Sequence, residues 1–267
     1  MSHSSLVVLI TGASAGIGAA TARALAPSGC RLALSARRKD LLDELASELK
    51  NRHGTETLTL VTDVQAPEQV RAMVEAAHRH FGRLDVLINN AGVLRMAPVL
   101  TMPVGDMDAM METNFWPIVH AVRAAAPLMA AQGGGHIINV GSGVSRRGLP
   151  YMAVYSATKF ALAGLTEGLR VELARDNIRF TTVYPGVIDT DMPRSVDRSR
   201  LPKDYPDHSS SRIPVERVAQ AIATAVRTKP VEVYVPGWMR YALWFCAMCP
   251  ALVDSLILRH YKRRSPV

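Results

Sequence analysis

A chain of 267 residues with 48% hydrophobic and 20% charged residues has the size and balance of one large globular domain, which excludes a disordered or low-complexity polypeptide. The net charge of +8 is concentrated, since the segment from Arg240 onward holds five lysines and arginines against Asp254 alone, so no dedicated nucleic-acid face is expected. Three cysteines (Cys30, Cys246, Cys249) make no disulfide framework, the N-terminus shows no charged leader, and Cys246-x-x-Cys249 has no second pair; a cytoplasmic protein without a metal site is expected.

Short apolar runs alternate with longer helical patterns along the chain. Strands are read at residues 6–11, 31–35, 57–62, 86–89, 136–141, 179–184 and 231–235, and helices at 18–25, 39–50, 67–80, 115–131 and 151–175. This alternation predicts an α/β fold: a Rossmann-type, doubly wound parallel sheet of about seven strands with helices on both faces. One catalytic domain is expected over residues 1–237, with a polar, mobile substrate loop at 189–213. An apolar and basic extension follows over 238–267, in which Pro250 predicts two short helices.

The first strand runs directly into "TGASAGIG", a glycine-rich turn opening a helix. Gly12, Gly16 and Gly18 leave no Cβ in the way of a pyrophosphate, and the helix N-terminus offers N–H groups and a positive dipole end. About 18 residues beyond Gly18, where an NAD-binding fold carries an acidic residue, the sequence reads Ala36-Arg37-Arg38. Guanidinium groups pair with a 2′-phosphate that a carboxylate would repel, so NADP(H) is the expected cofactor, held chiefly by Arg37 with Arg38 beside it.

Further along, Tyr155 and Lys159 lie one helical turn apart, on one face of a small and apolar helix. A free phenol has a pKa of about 10, and a neighbouring cation favours phenolate, which suits the pair to acid–base work. The small residues Ala153, Ser156, Ala157 and Gly164 are expected to allow close approach along that helix.

Taken in order, TGASAGIG, Asp63, "NNAG" at 89–92, Asn114, Ser142, Tyr155-x-x-x-Lys159 and "PGVIDT" at 185–190 resemble the short-chain dehydrogenase/reductase family over residues 5–235. The resemblance implies a catalytic tetrad of Asn114, Ser142, Tyr155 and Lys159. It also implies a cofactor groove of Gly12, Ser14, Gly16, Ile17, Gly18, Asp63, Val64, Asn90, Ala91, Gly92, Tyr155, Lys159, Pro185, Gly186, Ile188 and Thr190. Asp63 and Val64 would hold the adenine end, and Ile188 and Thr190 the carboxamide. Asn114 would support a water leading from Lys159 to solvent. Gly141 departs from a second serine common at that position. Ser142, at the end of the fifth strand, is placed to hydrogen-bond a substrate oxygen as charge develops on it.

The implied activity is hydride transfer between NADP(H) and a carbonyl/secondary alcohol pair, with Tyr155 as general acid/base. The alternatives are a catalytically silent NADP-binding scaffold and an epimerase or dehydratase of the same fold. The methionine-rich stretch 93–115 leans towards a lipophilic substrate or, alternatively, reflects helix packing. Arg95, Arg146 and Arg147 are read as solvated surface. A homodimer or homotetramer is expected. For residues 238–264, contact with a membrane surface stands against packing on a subunit or over the substrate mouth.

Overall fold

The computed structural model describes residues 6–190, 192, 196–202, 205 and 212–262, with side chains up to Arg259. Seven strands among these residues, β1 (Val7–Thr11), β2 (Arg31–Ala36), β3 (Thr57–Val61), β4 (Val86–Asn89), β5 (Gly135–Val140), β6 (Ile178–Pro185) and β7 (Glu232–Val235), form one sheet. Its order is β3-β2-β1-β4-β5-β6-β7 and every pairing is parallel. The central strand, "VVLIT", is buried at all five positions, as a strand covered on both faces requires.

Two apolar layers flank the sheet. On one side α1 (Gly16–Leu25), α2 (Lys39–His53) and α7 (Val215–Thr228) pack through residues such as Ala22, Leu45 and Ile222. On the other, α3 (Pro67–Phe81), α5 (Trp116–Ala131) and α6 (Ala153–Glu172) pack through Val74, Val122 and Leu162. A third, smaller cluster joins Leu94, Met102 and Met110 to Val144 and Tyr155, which makes α4 (Val104–Asn114) a packed wall beside the sheet's carboxyl edge.

The helices α4 and α7 go beyond those read from the sequence, and α6 starts two residues later than expected because Tyr151 has φ 64° and cannot be helical. Residues 239–262 form α8 (Met239–Met248) and α9 (Pro250–Lys262), which meet at 108°. Within 189–213, Arg200 pairs with Asp106 at 2.5 Å and Tyr205 sets its ring against Tyr151, so the described part of this stretch is tied to its surroundings. Residues 191, 193–195, 203–204 and 206–211 of the expected loop, and 263–267 of the basic tail, lie outside the described residues.

Candidate active site

Strand order reverses between β1 and β4, and the crevice outside the carboxyl ends of a doubly wound sheet at that point is where ligands bind. Gly12 (φ +67°) and Gly16 (φ +53°) occupy the left-handed region as the chain leaves β1. At Gly18 a Cβ would meet the Gly12 carbonyl at 2.3 Å, so the turn and α1 close on each other only without one. The start of α1 carries neither a side-chain cap nor an acidic residue, which leaves its N–H groups and dipole end open to an anion.

Asn90 holds this turn in place: its Nδ2 donates to the carbonyls of Thr11 (2.9 Å) and Gly12 (3.3 Å). The backbone N–H groups of Asn90 and Ala91 both donate to Thr11 Oγ1. The opposite lip is the 185–190 segment. Pro185 ends β6, Gly186 N donates to the Val235 carbonyl, Ile188 is buried against Ile213, and Thr190 Cγ2 lies 3.4 Å from where Gly16 would carry a Cβ.

Between the lips, Ser14 and Ile17 are half-buried, and Arg38 reaches across to donate to Ser14 Oγ at 3.1 Å, with Arg37 exposed beside it. Asp63 sits at the end of β3, where its carboxylate accepts from Gln65 N, while Val64 packs into the apolar layer below. A Cβ-free turn, an uncapped helix N-terminus and two guanidinium groups at the rim fit a dinucleotide bearing an extra phosphate.

At the reacting end, Tyr155 and Lys159 enter from the first turns of α6, 7% and 5% exposed respectively. Lys159 Nζ donates to the Val140 carbonyl at 3.0 Å and stands 5.9 Å from the Tyr155 ring centroid. Gly92 packs closely on Asn114, since a Cβ there would lie 3.2 Å from Asn114 Oδ1 and in ordinary contact, 3.8 Å, with the Lys159 ammonium. Ser142 caps the short turn 143–145, and its backbone N–H is fixed by Ser145 Oγ at 3.0 Å. The spacing Ser142-x-x-Ser145 is the sequence signal that could have singled out Ser145. At Gly141 a Cβ would meet Ser145 Oγ at 3.0 Å and the Val183 carbonyl at 3.2 Å, so a side chain there would press on both.

Burial sets the titration of this pair. It pushes Tyr155 up to about 12, with a hydrogen bond from Ser142 holding back part of the rise, and pushes Lys159 down to about 8. The lowering of Tyr155 expected from Lys159 is therefore outweighed: desolvation raises the phenol, and the ammonium is aimed at Val140. Both polar groups of the Asn114 side chain are engaged, Nδ2 donating to the Val93 carbonyl (2.9 Å) and Thr158 Oγ1 (3.2 Å), Oδ1 accepting from Val93 N (2.8 Å). Asn114 thus ties α4 to the strand end that leads to Gly92. On α6 only Ser156 of the four small residues is buried; Ala153, Ala157 and Gly164 are exposed.

Other groups escaped the sequence reading. Asn89 donates to Asn139, and Asn139 to Thr166, forming a buried polar rail under the site. Arg146 is not solvated surface: it pairs with Glu167 (2.7 Å) and Glu232 (2.5 Å) and lies over the Tyr184 ring. Arg95 pairs with Asp106, and Arg147 with Asp254 of α9. At the mouth, Met239 Sδ of α8 would lie 3.2 Å from a Cβ on Gly143 and 3.7 Å from one on Gly186. This neighbourhood agrees with the expectation that residues 238–264 lie over the substrate mouth.

The family model described as short chain dehydrogenase matches residues 6–201. The uncharacterized oxidoreductase YxnA of Bacillus subtilis is 36% identical over 94% of this chain and 71% of its own length. The 11-beta-hydroxysteroid dehydrogenase 1A of Arabidopsis thaliana is 34% identical over 93% of this chain and 73% of its own. Among solved structures, a short-chain dehydrogenase from Sphingobium yanoikuyae in complex with NADPH superposes with a TM-score of 0.77 at 29% identity, covering 93% of this chain and 95% of that one.

Proposed function

The chain belongs to the short-chain dehydrogenase family, and we propose that it is an NADP(H)-dependent oxidoreductase of a carbonyl/secondary alcohol pair in which Tyr155 is the general acid and base. The observation that carries this reading is the convergence of Ser142, Tyr155 and Lys159 at the carboxyl end of β5, beside the Cβ-free turn and its arginine rim. NADPH, when bound, supplies the hydride. In reduction Tyr155 gives its phenolic proton to the substrate oxygen while Ser142 hydrogen-bonds the same oxygen as negative charge grows. Lys159, buried with a pKa of about 8, donating to the Val140 carbonyl and 5.9 Å from the Tyr155 ring centroid, would hold the cofactor's ribose hydroxyls.

Arg37 and Arg38 support the phosphate-bearing cofactor, as does the NADPH-bound neighbour. A lipophilic substrate is supported by the apolar wall of Leu94, Met102 and Val144 next to Tyr155 and by the steroid in the name of the Arabidopsis relative. The exposed face of α6, with Ala157, Phe160, Gly164 and Val171, supports a homo-oligomer, and the free thiols support a reducing cytoplasm. The test is a panel of steroid, retinoid, fatty and small carbonyl compounds, read as loss of nicotinamide absorbance with NADPH. Turnover of at least one compound, faster with NADPH than with NADH, is the expected result; a faster reaction with NADH overturns the cofactor assignment.

A further inference from the structure

We propose that α8 and α9 form an in-plane docking face for an anionic lipid bilayer, which holds the substrate mouth against the membrane surface. Seven large apolar side chains of this short segment, Trp238, Tyr241, Trp244, Met248, Leu252, Leu256 and Leu258, are each at least half exposed. On α8 they recur every three to four residues and so form a stripe, and on α9 Leu252 and Leu256 share a face with Arg259. Among the described side chains of α9, Val253 is the one that is buried. A soluble monomer rarely leaves so many large apolar side chains of one short segment uncovered.

No single helix of the segment is long and apolar enough to cross a bilayer. Helices of ten and thirteen residues joined at 108° reach about 15 and 20 Å, short of the roughly 30 Å hydrocarbon core. Two short helices with tryptophan and tyrosine among their exposed apolar side chains suit the interface plane instead.

Charge selects the occupant. Arg240 and Arg259 are exposed at the two ends of the segment, and Lys262, Arg263 and Arg264 follow in the sequence. The segment's one carboxylate, Asp254, is taken up by Arg147 from the loop that follows Ser142. A second copy meeting this face about a twofold axis would bring two basic patches together, whereas anionic headgroups neutralise both ends at once. Met239 opens α8 against Gly143 and Gly186, so the docking face begins at the rim of the reacting end. The docking rests on this surface; only the idea that substrate arrives from the lipid phase rests on the proposed oxidoreductase activity.

The test uses the full chain, sedimented with vesicles of phosphatidylcholine alone and of phosphatidylcholine with phosphatidylglycerol, at low and high salt. The chain is expected to pellet with the anionic vesicles, and less so as salt screens the attraction. Arg240→Gln with Arg259→Gln is expected to weaken that partitioning about twenty-five-fold, each basic residue contributing about five-fold. Trp244→Glu with Leu256→Glu is expected to abolish it; both positions are exposed, and unchanged thermal melting confirms the fold. A chain that stays in the supernatant with both vesicle types, or pellets equally with neutral and anionic ones, overturns the proposal. So does a dimer in sedimentation equilibrium that Trp244→Glu with Leu256→Glu converts to monomer, since the face would then belong to a second copy. Carbonyl turnover without sedimentation refutes the docking and leaves the oxidoreductase reading standing.

Discussion

Replacing Lys159 by methionine separates what the buried ammonium costs the fold from what it gives the chemistry. Its pKa falls from the ordinary 10.5 to about 8 through burial, so the folded chain binds fewer protons than the unfolded chain between those values. Stability then rises with pH across that window: below 8 both states are protonated and the full penalty is present, and above 10.5 both are neutral and it is gone. A difference of about 2.5 pH units corresponds to about 3 kcal/mol at pH 7. Methionine of similar length carries no charge to desolvate, but it leaves the Val140 carbonyl without its donor, a loss of about 1–3 kcal/mol. At pH 7 the Lys159→Met chain without cofactor is therefore expected to be as stable as the wild type or about 2 kcal/mol more so, while losing turnover. The assay is urea unfolding of both chains from pH 7 to 10.5, with the difference in extrapolated stability plotted against pH. Other groups titrate alike in the two chains and cancel. The difference should shift by about 3 kcal/mol towards the wild type as pH rises through 8 to 10.5. A difference that stays flat refutes the claim that this lysine is buried and charged at neutral pH.

His136 is fully buried, with Nε2 against Thr181 Oγ1 and no partner for Nδ1, and burial followed by the nearby Lys229 pushes its pKa down to about 3. Because the unfolded chain binds the extra proton, stability is lost as pH falls from 6.5 towards 3, by about 4–5 kcal/mol in all, and His136→Gln should flatten that part of the profile in acid unfolding titrations. Alanine at both Arg37 and Arg38 is expected to weaken NADPH binding about 10–150-fold and leave NADH unchanged in fluorescence titrations; an equal effect on both cofactors would show that the arginines do not read the 2′-phosphate. Gly18→Ala forces a Cβ to within 2.3 Å of the Gly12 carbonyl and should lower both melting temperature and NADPH affinity, whereas Gly82→Ala, where a Cβ meets nothing within 4 Å, should leave NADPH affinity unchanged.

Much of this architecture was readable because its physics is local. Buried parallel strands need unbroken apolar runs, and β1, β2 and β4 supplied them within a residue or two of their true ends. The glycine turn and the Tyr155–Lys159 pair were visible because each is written in a few consecutive residues. Contacts between distant segments were not. Arg146 looked like solvated surface, yet Glu167 and Glu232 lie 21 and 86 positions away, and only the return of β7 beside β6 brings the second of them near. The titration of Tyr155 was misjudged for a related reason: helical spacing brings a cation close, but it does not tell how much water the fold removes or that Val140 turns the ammonium aside.

The proposed role of Tyr155 is tested most directly by Tyr155→Phe, measured for both NADPH affinity and turnover of whichever carbonyl compound the panel identifies. The ring still fills its place beside Val144 and Met110, so cofactor affinity should match the wild type. Loss of the phenolic proton should lower kcat about 10²–10⁴-fold. A variant that binds NADPH and turns over at the wild-type rate would contradict the assignment of Tyr155 as the group that moves the proton.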